Sequence, residues 1–365
     1  MERWHFLSTE SKNYCLIKSD TPIKSRRNQK VFIFSALLLL GAVFSPTIAN
    51  AADITEQLHK PKTNRSSYRS RDEADRLLRL GEEKLQNSTP QKAVSYFSEA
   101  LEIYHVLGDL KAQGLTYDLL SRSYVQLGFP KEAEDAVRRR LAIARDLKDF
   151  RGQIFGLNNM GTLLLHKGET IAAVKVFDEA QSIASNINSI EGKGLSLSNL
   201  GLVNFRLGNY NKAVKLYKRA VSYRRQSKDR IGEANTLNHL GQAYLSLNNY
   251  QETVLTYSAA LRIANSTRDR TNQLRAIDGL VSAHTSAKYY ARAFDLLENR
   301  LVIAQDLRNT REQLKSFENY AQLYEQMGNY STARNFYERA IALARSLEDS
   351  QQELLLLDKI TRISQ

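Results

Sequence analysis

Asparagine side chains recur in this sequence at a fixed spacing, and their chemistry suits them to holding another polypeptide. One series, together with a histidine at the same spacing, consists of Asn159, Asn199, His239 and Asn319, and a second series one residue earlier consists of Asn158 and Asn238. A carboxamide both donates and accepts hydrogen bonds, so it can hold the backbone of an extended peptide whatever its sequence. The alternative is that these side chains are only solvated at a helix surface.

Catalytic chemistry is not indicated. The histidines after the first fifty residues show no paired spacing on a helix face, and the glycines form no phosphate-binding loop. The single cysteine, Cys15, excludes a disulfide framework and a zinc site built from several cysteines. We therefore predict no enzyme activity, no cofactor and no metal site. Asp278, Glu318 and Glu325 leave open a weak divalent cation held through oxygen atoms.

The elements that carry these residues repeat every 40 residues. The column that defines position 8 of each unit reads Gly81, Ser121, Gly161, Gly201, Gly241, Val281 and Ala321. Positions 4 and 7 are apolar in all seven units and form one stripe of a helix with position 8. Position 20 is Ala except at Thr253, position 24 is a large apolar residue, and position 27 is Ala except at Arg140 and Arg300.

Helix boundaries follow the same period. Position 15 is Gly or Asn in five units, which favours the left-handed conformation that closes a helix. Position 36 is Asp, Ser or Asn in all seven units, and these residues are strong N-caps. Each unit is therefore predicted to be an A helix of about 16 residues, a tight turn and a B helix of about 18 residues. Seven such hairpins bury their apolar stripes by stacking.

The columns resemble the tetratricopeptide repeat (TPR), as in Leu240-Gly241, Tyr244, Tyr257 and Ala260 of the fifth unit and Leu200-Gly201, Ala213, Tyr217 and Ala220 of the fourth. The period is similar to a long-helix subgroup that includes kinesin light chains and bacterial peptide-receptor regulators. The resemblance implies an all-α fold, a right-handed α-solenoid of seven tandem helix-turn-helix repeats with a C-terminal capping helix. Arg140 and Arg300 depart from the family pattern and leave local packing there in doubt.

The predicted organisation divides the chain into four parts. These are a signal peptide at 1–51, a linker at 52–70, the repeats at 71–350 (about 71–109, 110–149, 150–189, 190–229, 230–269, 270–309 and 310–349) and a capping helix at 351–365.

The resemblance also implies where a partner binds. In this family the A helices line a concave groove, into which positions 2, 5, 6, 9 and 12 point. The predicted groove residues are Asn158, Asn159, Asn199, Phe205, Arg206, Asn238, His239, Arg275 and Asn319. The lysine and asparagine clamp that chaperone-binding members use for a terminal carboxylate is absent. The basic runs on B helices are interpreted as a solvated face, and no nucleic acid is expected.

The first fifty residues have the pattern of an export signal. Residues 1–30 carry seven basic and three acidic residues, 31–44 are uncharged and apolar, and small residues surround Ala51. Cleavage after Ala51 is predicted, with an uncleaved membrane anchor as the alternative, because 31–52 could just span a bilayer. Both alternatives place the repeats outside the cytoplasm.

These observations predict an exported, non-catalytic scaffold in the periplasm that binds a protein or an extended peptide. Through that partner it would be membrane-associated and would support assembly or maturation of an envelope complex. Exported arrays of this type resemble the cyanobacterial processing-associated TPR protein, which implies a role in photosystem II biogenesis. The alternative function is a peptide- or ligand-sensing receptor like the TPR regulators.

Overall fold

Residues 65–87 and 89–363 are described by a computed structural model, and they form fifteen α-helices and no strand. The helices are α1 (Arg65–Gln86), α2 (Pro90–Leu107), α3 (Leu110–Leu127), α4 (Pro130–Asp146), α5 (Phe150–His166), α6 (Thr170–Asn186), α7 (Ile190–Arg206), α8 (Tyr210–Gln226), α9 (Arg230–Ser246), α10 (Tyr250–Thr267), α11 (Arg270–Ser286), α12 (Tyr290–Asp306), α13 (Thr310–Gln326), α14 (Tyr330–Ser346) and α15 (Ser350–Ile363).

These helices pack in chain order, as the predicted α-solenoid requires. Odd-numbered helices α1 to α13 are the A helices, and even-numbered helices α2 to α14 are the B helices. Each helix packs against its neighbours in sequence, and consecutive A helices also touch directly at α1–α3, α5–α7, α7–α9 and α9–α11. The all-α solenoid of seven hairpins is therefore confirmed, and α15 is its C-terminal capping helix.

The residue at position 36 caps every A helix after the first and also the capping helix α15. Its side-chain oxygen accepts a hydrogen bond from the backbone N–H three residues later, which satisfies one of the unpaired donors of the first turn. The seven caps are Asp109, Asp149, Ser189, Asp229, Asp269, Asn309 and Asp349. The N-cap prediction is thus confirmed at all seven units.

Left-handed residues close the helices at both turns of a unit. Position 15 has positive φ from the second unit to the seventh, including Lys288 at φ 61°. Position 35 has positive φ in all seven units, although only Gly108 and Asn188 are of a type that favours it. The sequence does not signal this second set, because the packed helices on either side impose the conformation.

The core uses the predicted alternation of small and large side chains. Position 20 is fully buried in every unit, and the position 24 side chains are between 0% and 5% exposed. A Cβ atom added to Gly81, Gly161 or Gly201 would collide with the ring at position 24 of the same unit. Glycine at position 8 therefore lets that ring lie directly on the A helix.

Arg140 and Arg300 are accommodated between the helices because each is paired with half-buried carboxylates. Arg300 is 1% exposed, and its Nε donates to Oδ1 of Asp278 at 2.6 Å. Its other nitrogens donate to Glu312 and Ser316. Arg140 Nε donates to Oδ2 of Asp118 at 2.9 Å. Only these two units combine Asp at position 5 with Arg at position 27. The other units have Ala at position 27 and a residue other than Asp at position 5.

The start of the repeats differs from the prediction. Helix α1 begins at Arg65, so the last six residues of the predicted linker at 52–70 are helical because they extend the first A helix. The rest of that linker and the predicted signal peptide at 1–51 lie outside the described residues. Among the helices that the structure describes, none is long and apolar enough to cross a bilayer.

Candidate functional site

The A helices present one continuous row of accessible side chains, which we call the A-helix face. It consists of positions 2, 6 and 9 of each unit. Every side chain at positions 2 and 9 is exposed or half-buried, whereas position 6 is buried only at Leu119 and Gly279. Because consecutive A helices touch, these positions form a surface that runs across the units rather than isolated spots.

The structure corrects the assignment of Asn158 and Asn238 to the groove. Asn158 is 1% exposed and donates to the carbonyl of Ile154 at 2.8 Å and to Oγ of Ser196 at 3.0 Å. Asn238 is 5% exposed and donates to both oxygens of Asn272. Position 5 faces the next A helix and not solvent, so these carboxamides link neighbouring units and are not available to a ligand.

Asn199 and Asn319 stand on the A-helix face but each already makes one bond between units. Nδ2 of Asn199 donates to Oδ1 of Asn158 at 2.8 Å, and Nδ2 of Asn319 donates to Oδ1 of Asp278 at 2.9 Å. Both side chains are half-buried. Each therefore has its amide group fixed by the preceding unit, while its carbonyl oxygen faces the row.

His239 is held as a neutral wall residue. Its ring stacks on Tyr217 of the preceding unit, with centroids 5.9 Å apart and planes at 13°. Burial, with the positive charges of Arg275 and Arg206, lowers the pKa of His239 to about 4. At neutral pH this imidazole is uncharged, so it offers one donor and one acceptor to the row.

Of the remaining predicted residues, Arg275 lies on the A-helix face at position 2, whereas Phe205 and Arg206 lie at positions 12 and 13, at the C-terminal end of α7. Arg206 is exposed, and its Nη1 donates to the carbonyl of Leu165 at the C-terminal end of α5 at 2.9 Å. Arg275 is exposed and donates to Oδ1 of Asn235 at 3.0 Å. Because the side chain of Asn235 is uncharged, this hydrogen bond does not neutralise the charge of Arg275. Phe205 is half-buried against the ring of Tyr210, at 5.3 Å.

Asn159 is exposed and lies at the edge of a cavity of about 260 Å³ between α3 and α5. The cavity is lined by Ser121, Arg122, Val125, Gln126, Val137, Asn159, Thr162 and Leu163. Ser121, Val137 and Leu163 are buried and form the floor, whereas Arg122, Val125, Gln126 and Asn159 are exposed and form the mouth.

Sequence reasoning missed this cavity, although the sequence contained its signal. In the fourth and fifth units, the position 24 ring fills the space between position 8 of its own A helix and position 6 of the next. The ring of Tyr257, for example, lies where Cβ atoms of Gly241 and Gly279 would be. The second unit has Val137 in place of a ring and Ser121 in place of glycine. The shorter side chain leaves the space open.

The acidic residues that left open a weak cation site are each engaged by protein groups. Asp278 accepts from Arg300 and Asn319, Glu318 pairs with Lys315 and Lys359, and Oε2 of Glu325 accepts from the hydroxyl of Tyr337 at 2.6 Å. Over residues 65–87 and 89–363, no group of three His, Cys, Asp or Glu side chains is arranged to hold a metal ion.

Comparisons with known proteins agree with this architecture. Models of the tetratricopeptide repeat match residues 154–226, 193–266 and 314–347. No curated protein matches the sequence.

Solved structures of similar fold include three that cover most of the helical array. The apo form of RapI is 16% identical with a TM-score of 0.57, covering 76% of this chain and 99% of its own. A STAND protein with a TPR sensor from Pyrococcus horikoshii is 16% identical with a TM-score of 0.57, covering 78% of this chain and 44% of its own. A Rap protein complexed with competence and sporulation factor is 13% identical with a TM-score of 0.51, covering 82% of this chain and 97% of its own.

At these identities the structures establish the fold alone. The matched models and the stacked hairpins show that residues 154–266 and 314–347 consist of tetratricopeptide repeats.

Proposed function

We propose that this chain is a non-catalytic scaffold that binds an extended peptide or protein tail along the A-helix face. The observation that carries the proposal is the row of hydrogen-bonding side chains at position 6, in which Asn159, Asn199, His239 and Asn319 recur on separate A helices. Such groups satisfy the N–H and C=O groups of an extended backbone without reading its side chains.

The composition of the row changes along the array and indicates the chemistry of the partner. In the second unit Leu115 is 49% exposed and Val125 is 53% exposed, whereas position 2 is Arg275 in the sixth unit and Lys315 in the seventh. A partner segment with an apolar part and an acidic part would match both ends. Residues 1–51 contribute +4 to the formal charge of +13, and the +9 that remains after them also favours acidic partners.

We further propose that the protein is exported, because a basic segment, an apolar stretch at 31–44 and small residues around Ala51 occur in the order of a signal peptide. Fractionation of expressing cells tests this with an antibody against the repeats. A shortened product in the periplasm is expected, and a variant lacking 1–51 should stay in the cytoplasm. A full-length product in the cytoplasm would contradict export, and one held in the membrane would favour the anchor.

A more specific role is assembly or maturation of a membrane or periplasmic complex. This role rests on a resemblance to the processing-associated TPR protein, in which an export signal is also followed by repeats. Photosystem II biogenesis is the specific process which that resemblance suggests. A deletion strain tests it, with loss of assembled complex as the expected result and normal assembly as the contrary one.

A second candidate function is a ligand-sensing receptor. The cavity between α3 and α5 favours it, since a scaffold that reads only backbone needs no such space. Two similar folds are, as their names state, a STAND protein with a tetratricopeptide repeat sensor and a Rap protein complexed with competence and sporulation factor.

Selection of peptides from a random library on the full chain tests the scaffold proposal. Asn159→Ala with Arg275→Ala should weaken the selected peptides about tenfold or more, because each lost hydrogen bond contributes about 0.5–1.5 kcal/mol and those to a charged group more. Asn299→Ala with Arg262→Ala is the matched control, since both residues are exposed on B helices. Equal loss in both pairs, or no enriched peptide, would overturn the proposal.

A further inference from the structure

The cavity between α3 and α5 lies at one of the two units that lack a ring at position 24, and Val137 there is shorter than Leu297 of the other. In the first, third, fourth, fifth and seventh units the position 24 residue is Phe97, Phe177, Tyr217, Tyr257 or Tyr337. Each of these rings is at most 5% exposed. The second unit supplies Val137 instead, and the space opens to the A-helix face beside Asn159.

The size of the space suits a side chain of aromatic dimensions. Its volume is about 260 Å³, and an apolar cavity of about 150 Å³ is known to accept benzene. The floor is made by the methyl groups of Val137 and Leu163 with the hydroxyl of Ser121, which already donates to the carbonyl of Asp118 at 2.8 Å. A ring entering from the A-helix face would meet an apolar floor, because the hydroxyl of Ser121 already donates its proton to a backbone carbonyl.

The mouth of the cavity carries an exposed cation. Arg122 forms no salt bridge within residues 65–87 and 89–363, and the carboxylate on which its charge acts, Asp118, is hydrogen-bonded to Arg140. The side chains of Gln126 and Asn159 also line the cavity and form no side-chain hydrogen bond to the described residues. These three side chains provide a charge and two carboxamides at the entrance, which suits a carboxylate next to the inserted ring.

We propose that this cavity binds an aromatic side chain of a peptide, with a carboxylate adjacent to that side chain paired to Arg122. The inference deepens the proposed function and rests on it, because it places one specific contact on the A-helix face. The carboxylate can come from an acidic residue next in sequence or from the free C terminus of the peptide. Both sources share the same chemistry.

Four peptides separate these contributions. They have a common flanking sequence and contain Phe-Asp, Ala-Asp, Phe-Asn, or a C-terminal Phe with a free carboxylate. Fluorescence anisotropy with the full chain should give the tightest binding for a peptide with both groups and at least tenfold weaker binding for Ala-Asp. The Phe-Asp and terminal-Phe peptides distinguish the two sources of the carboxylate.

Filling the cavity with the ring that other units contain is the decisive variant. Ser121→Gly with Val137→Phe recreates the arrangement of Gly161 and Phe177 and should abolish the preference for Phe over Ala. The thermal midpoint should be unchanged or higher, because the added ring is buried in an existing space. Val281→Gly with Leu297→Phe makes the same exchange in the sixth unit and should leave binding unchanged.

Two further variants keep the test informative if the filled core does not fold. Asn159→Tyr covers the mouth from the exposed side and should also remove the preference for Phe. Arg122→Gln should remove the preference for Phe-Asp over Phe-Asn, while Arg262→Gln on a B helix should not.

The outcomes separate this inference from the proposed function. Peptides from the random library that bind the filled and the original cavity equally would overturn the inference and leave the scaffold proposal standing. A lack of any peptide binding would overturn both. Equal affinity for the Phe and Ala peptides would overturn the ring site alone.

Discussion

At the scale of single residues, charge inside the array is tolerated only where it is paired. Arg300 is 1% exposed, and its guanidinium donates five hydrogen bonds, to Asp278, Glu312 and Ser316. In the third and fifth units, Asn158 and Asn238 at position 5 accompany Ala180 and Ala260 at position 27. At position 5, an Asp paired with Arg at position 27 is thus exchanged for an Asn that bonds to the next A helix and accompanies Ala at position 27.

The paired substitution in the sixth unit tests this exchange. Arg300→Ala alone should destabilise the protein by about 3–5 kcal/mol, because it leaves Asp278 without its main counter-charge. Arg300→Ala with Asp278→Asn recreates the asparagine and alanine pattern and should recover a large part of that loss. Urea unfolding of the two variants gives the comparison, and a double variant no more stable than the single one would contradict it.

The histidine in the position 6 row predicts a specific pH response. Because the folded-state pKa of His239 is about 4 and its ordinary value is 6.5, the unfolded chain binds more protons between these values. Its contribution to stability is therefore fully present above about pH 6.5 and is lost as the pH falls toward 4. At about 1.4 kcal/mol per pKa unit, the contribution is of the order of 3 kcal/mol.

His239→Asn places at this position the residue found at Asn159 and Asn199, and it should flatten that part of the pH dependence. The measurement is the free energy of unfolding of the original and variant chains from pH 7 to pH 4. The difference between the two chains isolates His239 from the other titrating groups. Parallel curves would show that the imidazole is not held neutral.

At the scale of elements, turns are determined by packing as much as by residue type. Lys148, Lys228 and Lys288 all have positive φ, a conformation that costs about 1–2 kcal/mol for a residue with a Cβ atom. The helices on either side nevertheless fix the chain in that conformation.

Glycine at these turns should stabilise the array. Lys288→Gly is expected to raise the free energy of unfolding by about 0.5–1 kcal/mol, since the strain exceeds the entropy that glycine adds to the unfolded chain. Lys175→Gly, at an exposed position inside α6, is the control and should lower it by a similar amount. A loss of stability in both variants would contradict the assignment of strain to the turn.

The elements also show where the sequence was informative. The seven caps at position 36 and the ring column at position 24 could be predicted because their chemistry is local or strictly periodic. The burial of Asn158 and Asn238 could not, since it depends on how closely the next A helix approaches position 5. The presence of Ser121 and Val137 in one unit was a signal of the cavity. However, one shorter side chain in a column is equally compatible with a closed core.

At the scale of the whole molecule, the described helices form an array whose units contact mainly their neighbours in sequence. Such an array buries the apolar stripe of every hairpin and leaves the A-helix face accessible along its length. The hydrogen bonds between positions 5 and 6 of successive units, as in Asn199 to Asn158, join one A helix to the next. Binding along this face can therefore extend over several units without any of them changing shape.

Photo-crosslinking from a selected peptide gives the most direct test that the A-helix face binds the partner. Peptides carrying a photoreactive residue at successive positions are bound to the full chain, irradiated, and the linked residues are identified by mass spectrometry. We predict that crosslinks fall on α3, α5, α7, α9, α11 and α13 and shift along the array as the reactive position shifts along the peptide. Crosslinks concentrated on the B helices, or on one spot whatever the reactive position, would contradict the account.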